Sequence, residues 1–521
     1  MIQIQRSEWR WVCIYAVALS LLLSIPYLTG YASQTPENRF SGALIGIEDL
    51  NSYFAKMNQG AHGAWLFTLP YTSEPQQASP VYLFYLLLGK ISGTDYFARV
   101  VTYHLARMFF GCLLMLVSYR FLAEFLSEPS QRRYALVLVT VGGGLGWLLI
   151  ILGQSNWLNS LPLEFASPEA YSFLMLLTLP HLLAARCLLL TALLAFLYRK
   201  YLWSGLVLLP LGLIQPATVA IAWAVIGATC VITLLTQKDF SWPGIWNRVR
   251  PIFVITLVSA APVLYLGYIY LSDPLVREWN LQNIIPALSP LHYLSGYGVY
   301  LILAGFGLAP LKRIRPDLWL LALGWGLLIP VLLNLPIGIQ RRLIEGFEIP
   351  LVAVAVLGLT STLSSYRPWL MPLIIFLVLP SSMLLWAGAI QSAQYISEPV
   401  FRHQDELIAF GWLDKNAQPK QVVLSAFSTG NALPAYTDLI AFVGHSSETA
   451  FLPQKMQGAA AFYKAGTSTN QRLQMLASGR IAYVFYGPPE QALGVLNPSS
   501  LPYLKKRFQQ GNYAVYEVVS P

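Results

Sequence analysis

Apolar positions along the chain gather into runs of about twenty residues, the length a helix needs to cross a bilayer's hydrocarbon core. Such runs fall near 11–31, 104–126, 134–153, 176–198, 201–214, 217–236, 252–271, 291–311, 317–335, 349–363 and 369–390. They predict an α-helical polytopic membrane protein with about eleven transmembrane helices. Over 201–236 a second reading stays open, one long helix kinked at Gln215-Pro216. After residue 391 the long runs stop. Stretches 422–427, 483–486 and 514–518 read as short strands, and 405–416, 456–464 and 470–478 as helices. The predicted organisation is a transmembrane domain over 1–390, with a first outer loop at 32–103, and a soluble α/β domain over 391–521.

Composition agrees, with 56% of residues hydrophobic and 11% charged, where a soluble domain carries about 25% charged residues. The formal charge of +9 invites a nucleic-acid partner, but the basic residues sit in short clusters between apolar runs. Arg6 and Arg10, Arg132-Arg133, Arg199-Lys200, Lys238 with Arg248 and Arg250, Lys312-Arg313 with Arg315, and Arg367 fall in alternate loops. Positive-inside bias accounts for that pattern without nucleic acid and, with eleven spans, predicts a cytoplasmic N-terminus and an extracytoplasmic C-terminal domain. Cys13, Cys112, Cys187 and Cys230 all lie in apolar runs, which argues against a disulfide framework or zinc site. The first apolar run is long for a signal peptide and reads as an uncleaved helix.

The chemistry concentrates around residues 44–85, a polar and aromatic stretch between apolar segments. As a helix it carries Asp49, Tyr53 and Lys56 on one face and Leu50, Phe54 and Met57 on the other. That pattern predicts an amphipathic helix on the membrane surface with a carboxylate, from Glu48-Asp49, aimed at whatever lies below.

Ionisable residues at membrane depth are functional candidates. Arg341-Arg342 breaks the charge rule on the outer side, either as solvated or headgroup-bound arginines or as an anion site suited to a lipid phosphate. Arg99 reads as snorkelling to headgroups; Arg107, beside His104, lies deeper and suits a structural or phosphate-binding role. Pro168-Glu169 reads as a helix start with an acid in its first turn, and His181 opens the next span after Leu179-Pro180. Glu169 and His181 would line an outward pocket or serve as cap and interfacial histidine; Arg186 is deeper still. His292 reads as packing. In the tail, Gly430 and Gly444 read as turn residues, and Ser446, His445 and Glu448 are too close in sequence to make a triad by adjacency. The chain has no P-loop, GxGxxG or HExxH motif.

The segments EDLNSYFAKMNQGAHGAWLFTLPY, YHLARM, SPEAYSFLMLLTLPHLLAA, GIQRRLIEGFEIPL, STGNALPAYTDLIAFVGHSSET and YVFYGP, in this layout, resemble the GT-C superfamily of integral-membrane glycosyltransferases. That superfamily includes protein mannosyltransferases and aminoarabinose transferases, and the chain looks most like an uncharacterised bacterial branch of it. The resemblance implies a multi-pass enzyme of the bacterial plasma membrane using a polyprenyl-phosphate-linked sugar donor. The acceptor would be an envelope glycan, lipid or protein. Asp49, or Glu48 one position earlier, matches the first-loop acid and would act as general base. Arg341 and Arg342 match the late-loop arginines that would hold the donor phosphate, with Arg107 as a further phosphate candidate. Tyr53, His104, Glu169, His181 and Arg186 would belong to the pocket. Displacement at the anomeric carbon would invert its configuration. Parts of the superfamily use a divalent metal, but no compact ligand cluster marks one here and no other cofactor is implied. The rival readings are a lipid or amphipath transporter, which would show internal repeats, and a non-catalytic envelope assembly protein. A pyrophosphate-linked donor is the variant reading within the superfamily.

Overall fold

In the computed structural model, which describes residues 2–519, ten helical segments are long and apolar enough to cross a membrane. They are Arg6–Ala32, Tyr96–Phe125, Pro129–Ile151, Pro180–Leu197, Pro216–Gln237, Trp242–Ser272, Pro290–Ile314, Pro316–Leu333, Gln340–Ser361 and Ser364–Gln394. The eleventh run is a separate helix, Tyr201–Ile214, of 14 residues, below spanning length. It is not the first half of one kinked helix, because Gln215 is extended (φ −147°, ψ 81°) and Pro216 starts a new one. Proline also opens the helices at Pro129, Pro180, Pro274, Pro290 and Pro316. Its fixed φ suits a first turn, where its missing N–H would have had no partner.

By internal contacts the chain forms two compact units. The first comprises the chain up to Ile25, His104–Gly267 and Ile285–Gly388. At its centre the Glu348–Ser361 helix is buried from Glu348 to Leu359. A Cβ on Gly307 would lie 2.0 Å from the Val354 carbonyl, and one on Gly358 2.2 Å from that of Leu303. This helix and Pro290–Ile314 therefore touch backbone to backbone, the close crossing that small residues permit between membrane helices. The Pro129–Ile151 segment breaks between Val141 and Gly146. There the amides of Gly144 and Gly146 donate to Glu164 Oε1 at 3.2 and 2.7 Å, and Ser381 Oγ donates to the same oxygen at 2.8 Å. A broken helix away from water needs such an acceptor for its freed amides.

The second unit comprises Pro26–Tyr103, Tyr268–Ile284 and the chain from Ala389 onward, so the first loop and the tail share one core. Strand β1 (Asn38–Phe40) pairs antiparallel with β2 (Phe401–His403), Phe40 opposite Phe401. Five more strands follow: β3 (Val422–Leu424), β4 (Ile440–Ala441), β5 (Ile481–Tyr486), β6 (Leu504–Gln510) and β7 (Tyr513–Val518). They form one sheet in the order β4-β3-β5-β7-β6, parallel among the first three and antiparallel among the last three. The α/β character expected of the tail is present, although the first expected strand stops at Leu424 and Phe427–Tyr436 is a helix.

The Ile47–Ala61 helix departs from the surface-lying helix that its spacing predicts. Lys56, on the nominally polar face, is fully buried along with Leu50, Phe54 and Met57. The reason is packing on both sides. A Cβ on Gly60 would lie 2.1 Å from the Leu86 carbonyl and one on Gly89 1.8 Å from that of Met57, so Leu83–Ser92 presses directly on one side. On the other side, Asn51 Nδ2 in this helix donates to Asn431 Oδ1 in Phe427–Tyr436 at 2.8 Å. Arg99 departs from expectation too: it is buried, donating to the carbonyls of Thr94 (2.6 Å) and Ala435 (2.8 Å) instead of reaching headgroups.

Candidate active site

Glu48 and Asp49 occupy the first turn of the Ile47–Ala61 helix, where the unsatisfied amides and the helix dipole favour negative charge. Gly46 precedes them at φ +62°, a left-handed conformation that turns the chain sharply into the helix. The two acids differ in their surroundings. Glu48 Oε1 accepts from the Ser446 amide at 2.6 Å and also from Ser446 Oγ, which fastens it to the tail. The Asp49 side chain is 64% exposed, and its Oδ1 lies 3.4 Å from His445 Nε2.

His445 belongs to the segment GHSSET, which sequence spacing alone did not join to the acids. Two glycines seat it by close approach and not by turning. A Cβ on Gly430 would lie 2.0 Å from the Val443 carbonyl, and one on Gly444 2.3 Å from the Gly430 carbonyl carbon; neither has positive φ. The His445 ring is buried. Its Nδ1 accepts from the amides of Ser447 and Glu448 at 3.2 and 3.3 Å and lies 3.6 Å from Glu48 Oε1. Burial works against a charged ring, but Glu448, Asp49 and Glu48 outweigh it and raise the His445 pKa above the ordinary histidine value.

Behind this group lies a buried ion pair. Lys56 Nζ donates to Glu448 Oε1 at 2.6 Å and to Ser52 Oγ, whose own hydroxyl donates to Glu448 Oε1 at 2.6 Å. The Lys56 ammonium also sits 4.1 Å from the Tyr82 ring centroid, a cation–π distance. Burial pulls Lys56 below its ordinary range even with Glu448 on it. Tyr53 stacks on Tyr85 with ring centroids 4.5 Å apart, one helical turn from Asp49. Among the described residues, no group of three or more His, Cys, Asp or Glu side chains is arranged to hold a metal ion.

The remaining candidates lie in the first unit. Arg341 and Arg342 sit on a 3-10 turn, Gln340–Ile344, held at its start. Gln340 Nε2 donates to the Leu335 carbonyl at 2.6 Å, and the Arg341 amide donates to that of Ile285 at 3.3 Å. Arg342 Nε stands 3.6 Å from Glu169 Oε1, and the Arg342 side chain is 34% exposed. Glu169 itself is in a turn and not at a helix start, because the helix begins at Ser172. Arg186 is fully buried. It donates to Glu345 Oε1 (2.5 Å), Ser172 Oγ (2.9 Å) and the Glu169 carbonyl (2.7 Å), with Glu348 Oε2 at 3.6 Å. Arg107, also buried, donates to the Leu176 carbonyl and to Ser24 Oγ, both at 2.9 Å, and approaches His104 Nδ1 at 3.4 Å. His181 is buried in the first turn of Pro180–Leu197. His292 packs as expected, its Nε2 3.0 Å from the Trp157 carbonyl. The partners that sequence reading missed are His445, Glu448, Glu345 and Glu348. The first two stand in a segment that spacing alone marks as polar, and the last two follow the arginine pair, where Glu348 fits an ordinary acid in the first turn of a helix.

No protein-family model matches the chain, and no curated protein matches it. Solved structures do. Arabinofuranosyltransferase AftD from Mycobacteria matches at 14% identity over 99% of this chain and 40% of its own length, with a TM-score of 0.54. The Archaeoglobus fulgidus oligosaccharyltransferase AglB, in complex with an inhibitory peptide and a dolichol-phosphate, matches at 13% identity over 91% of this chain and 69% of its own, with a TM-score of 0.50. ArnT from Cupriavidus metallidurans, bound to undecaprenyl phosphate, matches at 14% identity over 96% and 99%, with a TM-score of 0.46. The likeness is one of fold alone: this multi-pass chain has the GT-C fold.

Proposed function

We propose that a chain with this GT-C fold is a membrane glycosyltransferase that moves a sugar from a polyprenyl-phosphate donor to an acceptor hydroxyl on the outer face of a bacterial plasma membrane. The observation that carries the reading is the exposed Asp49 carboxylate in the first turn of the first-loop helix. AglB's complex with a dolichol-phosphate supports the class of donor. Between the two first-loop acids the geometry favours Asp49, since Glu48 is fastened to Ser446.

In this reading Asp49 removes the proton of the acceptor hydroxyl as its oxygen attacks the anomeric carbon from the face opposite the lipid phosphate. The bond from that carbon to the phosphate oxygen breaks, its electron pair leaves with the lipid phosphate, and the configuration inverts. A phosphate leaving group needs its growing charge stabilised and not a proton. Arg341 and Arg342 are the proposed donors, because a guanidinium offers a planar fork of N–H groups to phosphate oxygens. Arg107 and Arg186 take no part in this step: their guanidiniums are buried on carbonyls, hydroxyls and carboxylates of the protein itself. We assign them to positioning the segments around Leu176 and Glu169.

The test uses full-length protein in nanodiscs with a panel of polyprenyl-phosphate and polyprenyl-pyrophosphate sugars. One donor should bind and turn over, Asp49→Asn should bind it without turnover, and the Arg341→Ala/Arg342→Ala variant should lose donor affinity. If no donor binds and all three proteins behave alike, the enzyme reading falls and a transporter or scaffold becomes the better account.

A further inference from the structure

The buried His445 ring has two nitrogens with different neighbours. Nδ1 receives the fixed backbone N–H groups of Ser447 and Glu448, so in the neutral ring it must supply a lone pair and the hydrogen resides on Nε2. In the imidazolium both nitrogens carry hydrogen. Either way Nε2 is a donor. Its atom is buried, has no hydrogen-bond partner by strict geometry among the described residues, and faces Asp49 Oδ1 at 3.4 Å. The distance is long for a hydrogen bond, as catalytic contacts often are before substrate arrives.

We propose that His445 is a positioning residue for Asp49, its Nε2–H fixing the rotation of the carboxylate from a segment almost four hundred residues away in the chain. This rests on the reading of Asp49 as general base. His445 itself cannot take the acceptor proton through Nε2, which already bears one, and Nδ1 is turned to the backbone. The groups facing the ring are Glu48 and Asp49 from the first-loop helix, Glu448 from its own segment, with Lys56 behind it, and Tyr71, whose ring centroid is 5.3 Å away. Glu48 and Glu448 have other donors, Ser446 for the first and Lys56 and Ser52 for the second. Asp49 is the carboxylate that Nε2 faces.

Two variants separate this role from a structural one. Asparagine at 445 keeps an acceptor near the Nδ1 position for the amides of 447 and 448 but does not reach Asp49. Glutamine reaches Asp49 with an N–H but gives up that acceptor. The first measurement needs no substrate: water-soluble carbodiimide labelling of Asp49 against pH, read by mass spectrometry on the full chain in nanodiscs. Losing a donor to the carboxylate should raise the labelling midpoint of Asp49 by about one pH unit in His445→Asn, a tenfold change in its proton affinity. His445→Gln should restore most of it. The second is turnover with whichever polyprenyl-phosphate sugar of the panel is active. His445→Asn should lower kcat at least tenfold with donor KM unchanged, and His445→Gln should regain most of the loss. Equal labelling midpoints in wild type and both variants would overturn the proposal, as would wild-type kcat in His445→Asn while Asp49→Asn is inactive. A shifted midpoint alongside a fully active Asp49→Asn would keep the contact but remove the base role, and the positioning role with it.

Discussion

Replacing Lys56 by Met would leave the Glu448 carboxylate buried without its countercharge. The two side chains are 0% and 5% exposed with the charged atoms 2.6 Å apart. At 2.6 Å and an effective dielectric constant of about 20, their attraction is about 6 kcal/mol. Much of that offsets the cost of taking two ions out of water, and removing one partner of such a pair costs about 3–5 kcal/mol. Methionine retains much of the lysine stem, so packing against Tyr82 changes little. The loss should appear locally, because Glu448 lies in the 444–449 segment. Thr449 reports on it, as its amide donates to the His445 carbonyl at 3.1 Å. Amide hydrogen exchange there should quicken roughly 150- to 5,000-fold in Lys56→Met if it proceeds by local opening. Adding Glu448→Gln removes the orphaned charge and should recover most of the protection. The pH dependence has a definite sign. Burial raises the Glu448 pKa, but Lys56 and His445 more than offset that and hold it below the ordinary 4.5. A depressed carboxylate contributes stability above its unfolded value and loses it as pH falls through the folded one. Wild-type protection should therefore fall away below pH 4.5, whereas Lys56→Met lacks it already at neutral pH. Unchanged exchange at Thr449 in Lys56→Met, or a double variant as loose as the single, would refute this account of the pair.

Arg186→Leu leaves Glu345 and Glu348 buried beside no cation and should cost about 3–5 kcal/mol or more. Arg342→Ala, 34% exposed and 3.6 Å from Glu169, should fold normally, and gel-filtration profiles in detergent will separate the two. Gly89→Ala drives a Cβ to 1.8 Å from the Met57 carbonyl; overpacking of this kind costs about 1–3 kcal/mol, visible as a lowered Tm. Glu48→Ala should speed proteolysis of the 444–449 segment by releasing Ser446, whereas Asp49→Asn should leave it unchanged.

The membrane helices were legible because burial in lipid demands length and apolarity, both of which a single chain displays; their proline-opened starts were not read, and the one helix start assigned to a proline, at Pro168, is a turn. The 201–214 run was legible as a helix of its own by the same apolarity, though at 14 residues Tyr201–Ile214 is shorter than the ten long segments. Strand β6 was missed because LKKRFQQ is an exposed polar edge, held by pairing with β7 and not by an alternating apolar face. Asp49 stood out as an acid in a long polar loop. Lys56 looked surface-bound for want of its partner, since helix periodicity reports a residue's direction and says nothing of what packs there. His445 and Glu448 were seen only as a polar cluster, because their meaning depends on residues 48, 49 and 56, brought to them by tertiary folding alone.

That long-range closure has a consequence in time. Glu48 meets Ser446 across 398 positions of sequence. At about 5–20 residues per second of synthesis, roughly 20–80 seconds separate the making of the two ends. Through that interval the first-loop helix is without the residues that hold its acids, so a growing chain would carry Asp49 in an unsupported state until its final segment emerges. Removing the tail from a finished protein would recreate that nascent condition, and with it a first-loop helix whose exposed carboxylate has lost its frame.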